Sequence, residues 1–166
     1  MNKHIREICL LGVLAALYVA VCVAIAPLSY GVAQFRVAEI FIALPFYNKK
    51  YSAAIIAGTF IANLIGPYGI VDAVVGTSAS AIVCLIIVLV KRKWVIAPAA
   101  GIVNGIIIGA MLYILDIIPD MALIPIMAGV ALGVFAATLM GVVLFAGLEK
   151  KTPKFMEMIK TMQRLR

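Results

Sequence analysis

Long apolar runs separated by short polar clusters make up most of the chain. The pattern predicts six membrane helices, because a helix needs about 20 apolar residues to cross the hydrocarbon core of a bilayer. The predicted spans are 8–26, 35–47, 51–65, 70–90, 94–115 and 121–148. The second and third are short, so we expect them to be tilted or to cross only by sharing the interior of the bundle.

Lysine and arginine are divided unevenly between the two predicted sides of the membrane. With the N-terminus placed inside, every one of the 14 basic residues except Arg36 falls on the cytoplasmic side. Cytoplasmic loops of membrane proteins favour Lys and Arg. The pattern therefore predicts an all-α, polytopic membrane protein with six transmembrane helices and with its N-terminus and C-terminus both cytoplasmic.

The composition excludes an ordinary soluble domain. Hydrophobic residues make up 66% of the chain, charged residues make up 13%, and the mean hydropathy is +1.19. Soluble domains average about 45–50% apolar residues. The net charge of +7 follows from the cytoplasmic clusters, so we expect no nucleic-acid partner. The chain divides into a transmembrane domain, 1–148, and a basic cytoplasmic tail, 149–166.

The tail has the pattern of an amphipathic helix. Thr152 is predicted to cap it, and Pro153 suits its first position. Its apolar face comprises Phe155, Met158, Ile159, Met162 and Leu165. We expect the helix to lie on the inner leaflet of the bilayer. Contact with a partner protein is the alternative.

Small residues recur at every fourth position in three predicted spans. The three ladders are Gly12, Ala16, Ala20 and Ala24; Gly101, Gly105 and Gly109; and Gly129, Gly133, Ala137 and Gly141. Such faces let helix backbones approach closely in lipid. Each ladder serves either internal packing or docking of another membrane protein. The first is the best docking candidate, because it runs nearly the whole length of its span.

Polar residues gather on the external half of the predicted bundle. A charged side chain at mid-bilayer costs about 2.5–3.5 kcal/mol on insertion scales, so such residues usually face the interior or a watery cavity. We expect these residues to form a ligand pocket. An ion pair between Arg36 and Glu39, and capping roles for Asn63 and Asp72, are the alternatives. The set is Gln34, Arg36, Glu39, Asn63, Asp72 and Asn104, with Tyr30, Phe35, Tyr68 and Tyr113 nearby.

Common catalytic and nucleotide-binding motifs are absent from the sequence. It contains no G-x-x-x-x-G-K-[ST], no H-E-x-x-H and no G-x-S-x-G. Cys9, Cys22 and Cys84 lie in apolar runs, with no spacing that suggests a metal site or a disulfide framework. We therefore expect neither an enzyme nor a bound cofactor or metal.

Several short segments together resemble one membrane protein family. They are Gln-Phe-Arg-Val-Ala-Glu at 34–39, Leu-Pro-Phe at 44–46, Ala-Asn-Leu at 62–64, and Pro-Tyr-Gly at 67–69 with Asp72 and Gly76. This pattern resembles the QueT family, the substrate-binding (S) components of energy-coupling factor transporters linked to queuosine precursors. The resemblance is best over 34–81. Ala38 departs from it, because serine is expected there.

The resemblance implies a subunit of a prokaryotic cell membrane that binds a deazaguanine base or its nucleoside from outside. A transmembrane coupling subunit and two ATPase subunits would then drive transport. The ladder at Gly12, Ala16, Ala20 and Ala24 resembles the surface that docks to the coupling subunit. The loop 28–34 is the predicted lid. The candidate substrate-binding residues are Arg36, Glu39, Asn63, Asp72, Asn104, Phe35 and Tyr68.

Other functions stay open at the level of sequence. The protein could be an S component for a different vitamin. It could also be a stand-alone carrier coupled to ions, because buried carboxylates such as Glu39 and Asp72 serve proton relays. A membrane-embedded enzyme is the weakest alternative, and it would use Asp116 and Asp120.

Overall fold

The chain is helical throughout the part that the computed structural model describes, residues 3–29 and 35–162. No strand occurs within those two ranges, so the predicted all-α class is confirmed for them. The helices are α1 (Lys3–Ala24), α2 (Ala26–Ser29), a 3-10 helix (Val37–Ala43), α3 (Leu44–Tyr47), α4 (Tyr51–Ile65), α5 (Gly69–Val90), α6 (Lys93–Ile114), α7 (Leu123–Lys151) and α8 (Pro153–Thr161).

Each predicted span corresponds to helical structure. Among the described residues, four helices are long and apolar enough to cross a membrane: α1, α5, α6 and α7. The segments 37–47 and 51–65 are shorter apolar helices. The predicted shortness of the second and third spans is therefore confirmed, and α4 has the predicted bounds. Six crossings and two cytoplasmic ends stay predictions.

The second predicted span is not a uniform α-helix. It begins as a 3-10 helix over Val37–Ala43 and continues as α3. Pro45 has no N–H to donate to the Phe41 carbonyl, and the Leu44 N–H donates to that carbonyl instead, with 3-10 spacing. The tighter helix carries Glu39 in its first turn.

Glycines bring helices α6 and α7 close together. A Cβ added at Gly105 would lie 2.7 Å from the Ala131 Cβ, and one at Gly109 would lie 2.7 Å from the Met127 Cα. Neither glycine position has space for a larger residue. The ladder on α6 therefore serves internal packing. Gly141 of the third ladder likewise lies against the backbone of Ile40 in the 3-10 helix.

The first ladder is used differently. Its four residues, Gly12, Ala16, Ala20 and Ala24, are all exposed on the outer face of α1. A Cβ at Gly12 would meet nothing within 4 Å among the described atoms. The inner face of α1 instead presents Tyr18 and Cys22, both fully or almost fully buried. The first ladder therefore does not pack inside the described part of this chain.

The tail helix α8 packs on the bundle through Met156, Ile159 and Met162, which are all buried. The Tyr51 hydroxyl donates to the Ile159 carbonyl at 3.0 Å. The apolar face of α8 therefore packs on the bundle, whereas the sequence predicted that it would lie on lipid. Phe155 of the predicted face is exposed, and Leu165 lies outside the described residues.

Three further contacts fix the tail. The Asn48 amide donates to the Lys160 carbonyl at 2.8 Å, and Lys93 and Lys160 both pair with Glu149. Pro153 occupies the start of α8 as predicted. Thr152 occupies the predicted N-cap position of α8, but its side chain makes no cap bond there. Its hydroxyl donates instead to the Leu148 carbonyl at 2.9 Å.

The α6–α7 contact predicts opposite outcomes for one substitution at two glycines. Gly105→Ala should lower the melting temperature in detergent, because overpacking costs about 1–3 kcal/mol. Gly12→Ala is the matched control. It should leave the melting temperature unchanged or raise it slightly, since alanine is the better helix former and the site is open. Equal melting temperatures for the two variants would contradict this packing.

Candidate functional site

Five polar side chains meet in the interior of the bundle. We call them the buried polar cluster: Tyr18, Arg36, Glu39, Asn63 and Asp72, each at most 3% exposed. They come from α1, the residue before the 3-10 helix, that helix itself, the last turn of α4 and the first turn of α5. Asn63 lies about 18 Å along α4 from its basic end, at 1.5 Å per residue. The cluster therefore lies away from the Lys49–Lys50 pair.

Arg36 and Asp72 form an ion pair inside the bundle. The Arg36 Nη2 and Asp72 Oδ2 atoms are 3.3 Å apart, and the side chains are 4% and 0% exposed. The Arg36 Nε also donates to the Ser29 carbonyl at 3.3 Å. Arg36 has an extended backbone ahead of the 3-10 helix. It therefore pairs with a different helix, and not along one helix face with Glu39 as the sequence alternative supposed.

Glu39 is held by a residue that sequence reasoning missed. The Tyr18 hydroxyl donates to the Glu39 Oε1 atom at 2.7 Å. Tyr18 is the only aromatic residue and the only hydroxyl within the predicted span 8–26. A lone hydroxyl in an apolar span could have indicated a site residue. Tyrosine is common in membrane helices, however, so this signal is weak. Both the donor and the acceptor are buried.

Asn63 joins α4 to α5. Its amide nitrogen donates to the backbone carbonyl of Asp72 at 3.0 Å. Gly76, one turn further along α5, makes this approach possible, because an added Cβ would collide with the Asn63 amide nitrogen. It would also lie 3.2 Å from the Asp72 Oδ1 atom. Neither Asn63 nor Asp72 makes a helix-capping side-chain bond, so the capping alternative is not supported.

Three acceptor atoms of the cluster lack hydrogen-bond partners within residues 3–29 and 35–162. They are the Glu39 Oε2, the Asp72 Oδ1 and the Asn63 Oδ1 atoms. A buried polar atom left without a partner costs about 1–3 kcal/mol. The sequence also places two carboxylates here against one guanidinium. Within the described residues, the cluster therefore has more hydrogen-bond acceptors than donors and more negative than positive side chains.

The other predicted site residues differ in their burial and in their contacts. Asn104 is buried, but its amide donates at 2.9 Å to the Ala100 carbonyl of its own helix, so no described contact joins it to the cluster. Phe35 and Tyr68 are half-buried. Tyr68 lies within electrostatic reach of Asp72 and Arg36. Tyr113 is 48% exposed. Tyr30, Gln34 and the rest of 30–34, which is most of the predicted lid, lie outside the described residues.

The ion pair predicts a specific pattern of stability. Arg36→Ala should cost about 3–5 kcal/mol of folding free energy, because it leaves Asp72 buried without its cation. The double variant Arg36→Ala/Asp72→Asn should be more stable than Arg36→Ala alone, since no charge is then left unpaired. Melting temperatures in detergent measure both effects. Arg92→Ala, at an exposed position, is the control. A double variant no more stable than Arg36→Ala would contradict the pairing.

Comparison with known proteins identifies the family of the chain. The profile of the family described as QueT transporter matches residues 8–150, which include the whole cluster. The queuosine precursor transporter QueT of Lactococcus lactis subsp. cremoris (strain MG1363) is 38% identical over 72 residues, and that alignment covers 42% of each chain. No solved structure matches the chain. Because the profile covers most of its length, the chain belongs to the QueT transporter family.

Proposed function

We propose that this protein is the substrate-binding subunit of an energy-coupling factor transporter that imports a queuosine precursor, a deazaguanine base or its nucleoside. The buried polar cluster carries the proposal. It places two carboxylates and an amide oxygen in an apolar bundle, with acceptor atoms that have no partner in the described ranges. Ionisable residues inside a membrane protein usually mark a substrate or ion pathway. The relative's name indicates the substrate class.

A guanine-like ligand has the complementary chemistry. Its edge presents adjacent N–H donors, and hydrogen bonds to a carboxylate are about twice as strong as those between neutral groups. Each carboxylate already has one oxygen engaged, by Tyr18 or by Arg36. The ligand donors would therefore divide between the Glu39 Oε2 and Asp72 Oδ1 atoms, and not both bind one carboxylate. The Asn63 Oδ1 atom is a third acceptor.

Aromatic side chains beside the cluster suit a planar ligand. Tyr68 and Phe35 are half-buried, and Tyr68 lies near both Asp72 and Arg36. Stacking of a base on an aromatic ring contributes about 1–3 kcal/mol in other nucleobase sites. An aminomethyl cation on the ligand, where present, would offset the excess of carboxylate charge.

Partner subunits supply the energy in this proposal. The sequence has no P-loop, so ATP hydrolysis would take place on separate ATPase subunits. The outer ladder of α1 supports docking to a transmembrane coupling subunit, because it is exposed along its whole length and serves no internal contact described here. Close backbone approach is what small-residue ladders provide in lipid.

Ligand titration tests the substrate proposal. We expect purified protein to bind queuine or a related deazaguanine, with Glu39→Gln and Asp72→Asn each weakening binding at least about tenfold, which corresponds to about 1.4 kcal/mol. Glu149→Gln is the control, a carboxylate change on the tail side of the bundle that should leave affinity unchanged. Failure to bind any deazaguanine, with tight binding of a different vitamin, would refute the substrate and keep the transporter class.

Substitution in the ladder tests docking. Ala16→Leu and Ala20→Leu should leave ligand affinity unchanged but prevent co-purification with a coupling module, because leucine blocks close helix approach. Ala128→Leu, also exposed but on α7, is the control and should assemble normally.

Two outcomes would contradict the docking proposal. Normal assembly of both α1 variants would show that the ladder is not the interface. Gradient-driven uptake by the protein alone in proteoliposomes, without ATPases, would favour an ion-coupled carrier over the whole proposal.

A further inference from the structure

Tyr18 is the one member of the buried polar cluster that comes from α1. Its hydroxyl donates to the Glu39 Oε1 atom at 2.7 Å, across 21 residues of sequence. Both side chains are buried, at 0% and 1% exposure. The bond therefore connects α1 to the 3-10 helix inside the bundle.

Close packing fixes the tyrosine ring. Gly58 of α4 lies against it, such that an added Cβ would come within 3.0 Å of the Tyr18 Cβ and 3.2 Å of its Cγ. The same Cβ would lie 3.2 Å from the Ala15 carbonyl oxygen. Helices α1 and α4 are thus in near-backbone contact at this level. A ring confined in this way holds its hydroxyl at a defined point.

The bond divides the two oxygens of Glu39 into separate roles. Oε1 accepts from Tyr18, whereas Oε2 has no partner within the described ranges. A carboxylate without the tyrosine could rotate and exchange its oxygens. With the tyrosine in place, one oxygen is anchored and the other is presented in a fixed direction.

We propose that Tyr18 is the positioning residue that orients Glu39 toward the ligand, so that Oε2, and not Oε1, is the Glu39 oxygen that accepts a ligand N–H. This inference rests on the proposed function, since it concerns the same site. It adds a residue of α1 to the determinants of affinity. Tyr18 acts through Glu39 and does not itself need to touch the ligand.

A purely structural tyrosine would behave differently from a positioning one. Substitutions of residues that act independently change the binding free energy additively, whereas substitutions of residues that act through each other do not. Glutamine at position 39 makes the difference sharp. Tyr18 would keep bonding the amide oxygen, which leaves the amide nitrogen, a donor, facing the donors of the ligand. Removing the hydroxyl would let the amide turn and present its oxygen.

The experiment is a double-mutant cycle with Tyr18→Phe and Glu39→Gln, read by titration of queuine into purified protein. Tyr18→Phe alone should weaken binding about tenfold, the effect of losing about 1.4 kcal/mol. In the Glu39→Gln background, Tyr18→Phe should leave affinity unchanged or improve it. Tyr51→Phe is the matched control, because that hydroxyl also donates to a buried acceptor, the Ile159 carbonyl. It should lower the melting temperature without changing affinity.

The outcomes separate this inference from the proposed function. Binding by the unaltered protein, with the two single losses multiplying in the double variant, would overturn the positioning role and leave the function intact. An unchanged affinity in Tyr18→Phe would do the same. Absence of deazaguanine binding to the unaltered protein would overturn the proposed function and this inference with it. Melting temperatures of all variants establish that each is folded.

Discussion

The buried ion pair between Arg36 and Asp72 is the interaction on which the rest of the site depends. An unpaired charge inside an apolar bundle is costly, and removing one partner of a buried pair costs more than the pair itself contributes. The pair connects the start of the 3-10 helix to the start of α5. The Asn63 amide also donates to the Asp72 carbonyl, in a close approach that Gly76 permits. The polar cluster is thus assembled around one compensated charge.

That compensation is incomplete, and the imbalance gives the site its proposed chemistry. Two carboxylates face one guanidinium, and each carboxylate keeps one oxygen that has no partner in the part of the chain described. Close packing elsewhere supports this arrangement. The glycines of α6 let α7 approach closely, and Gly58 lets α4 approach Tyr18 of α1. The outer face of α1 is left exposed. One helix therefore contributes Tyr18 to the cluster on its inner side and leaves a ladder of small residues exposed on its outer side.

The sequence was informative about elements and about polar residues in apolar surroundings, and less so about partners. Apolar run length located the long helices α1, α5, α6 and α7 and the shorter α4, because a bilayer imposes both the length and the hydrophobicity of a span. It did not predict α2, which overlaps the loop expected at 28–34. The free-energy cost of placing a polar side chain in an apolar span identified four residues of the cluster: Arg36, Glu39, Asn63 and Asp72. Their pairing could not be deduced, since it depends on which helix ends meet in space. Tyr18 escaped notice because tyrosine is ordinary in membrane helices, and the tail's contacts depend on tertiary packing that periodicity does not specify.

We propose that the ligand binds at the acceptor atoms that have no described partner. An experimental structure of the protein with a bound deazaguanine tests it most directly, by the distances from ligand nitrogen atoms to the Glu39 Oε2 and Asp72 Oδ1 atoms. We expect both to be hydrogen-bond distances, about 2.7–3.2 Å. A ligand bound elsewhere in the bundle, with both oxygen atoms still lacking a ligand donor, would contradict it.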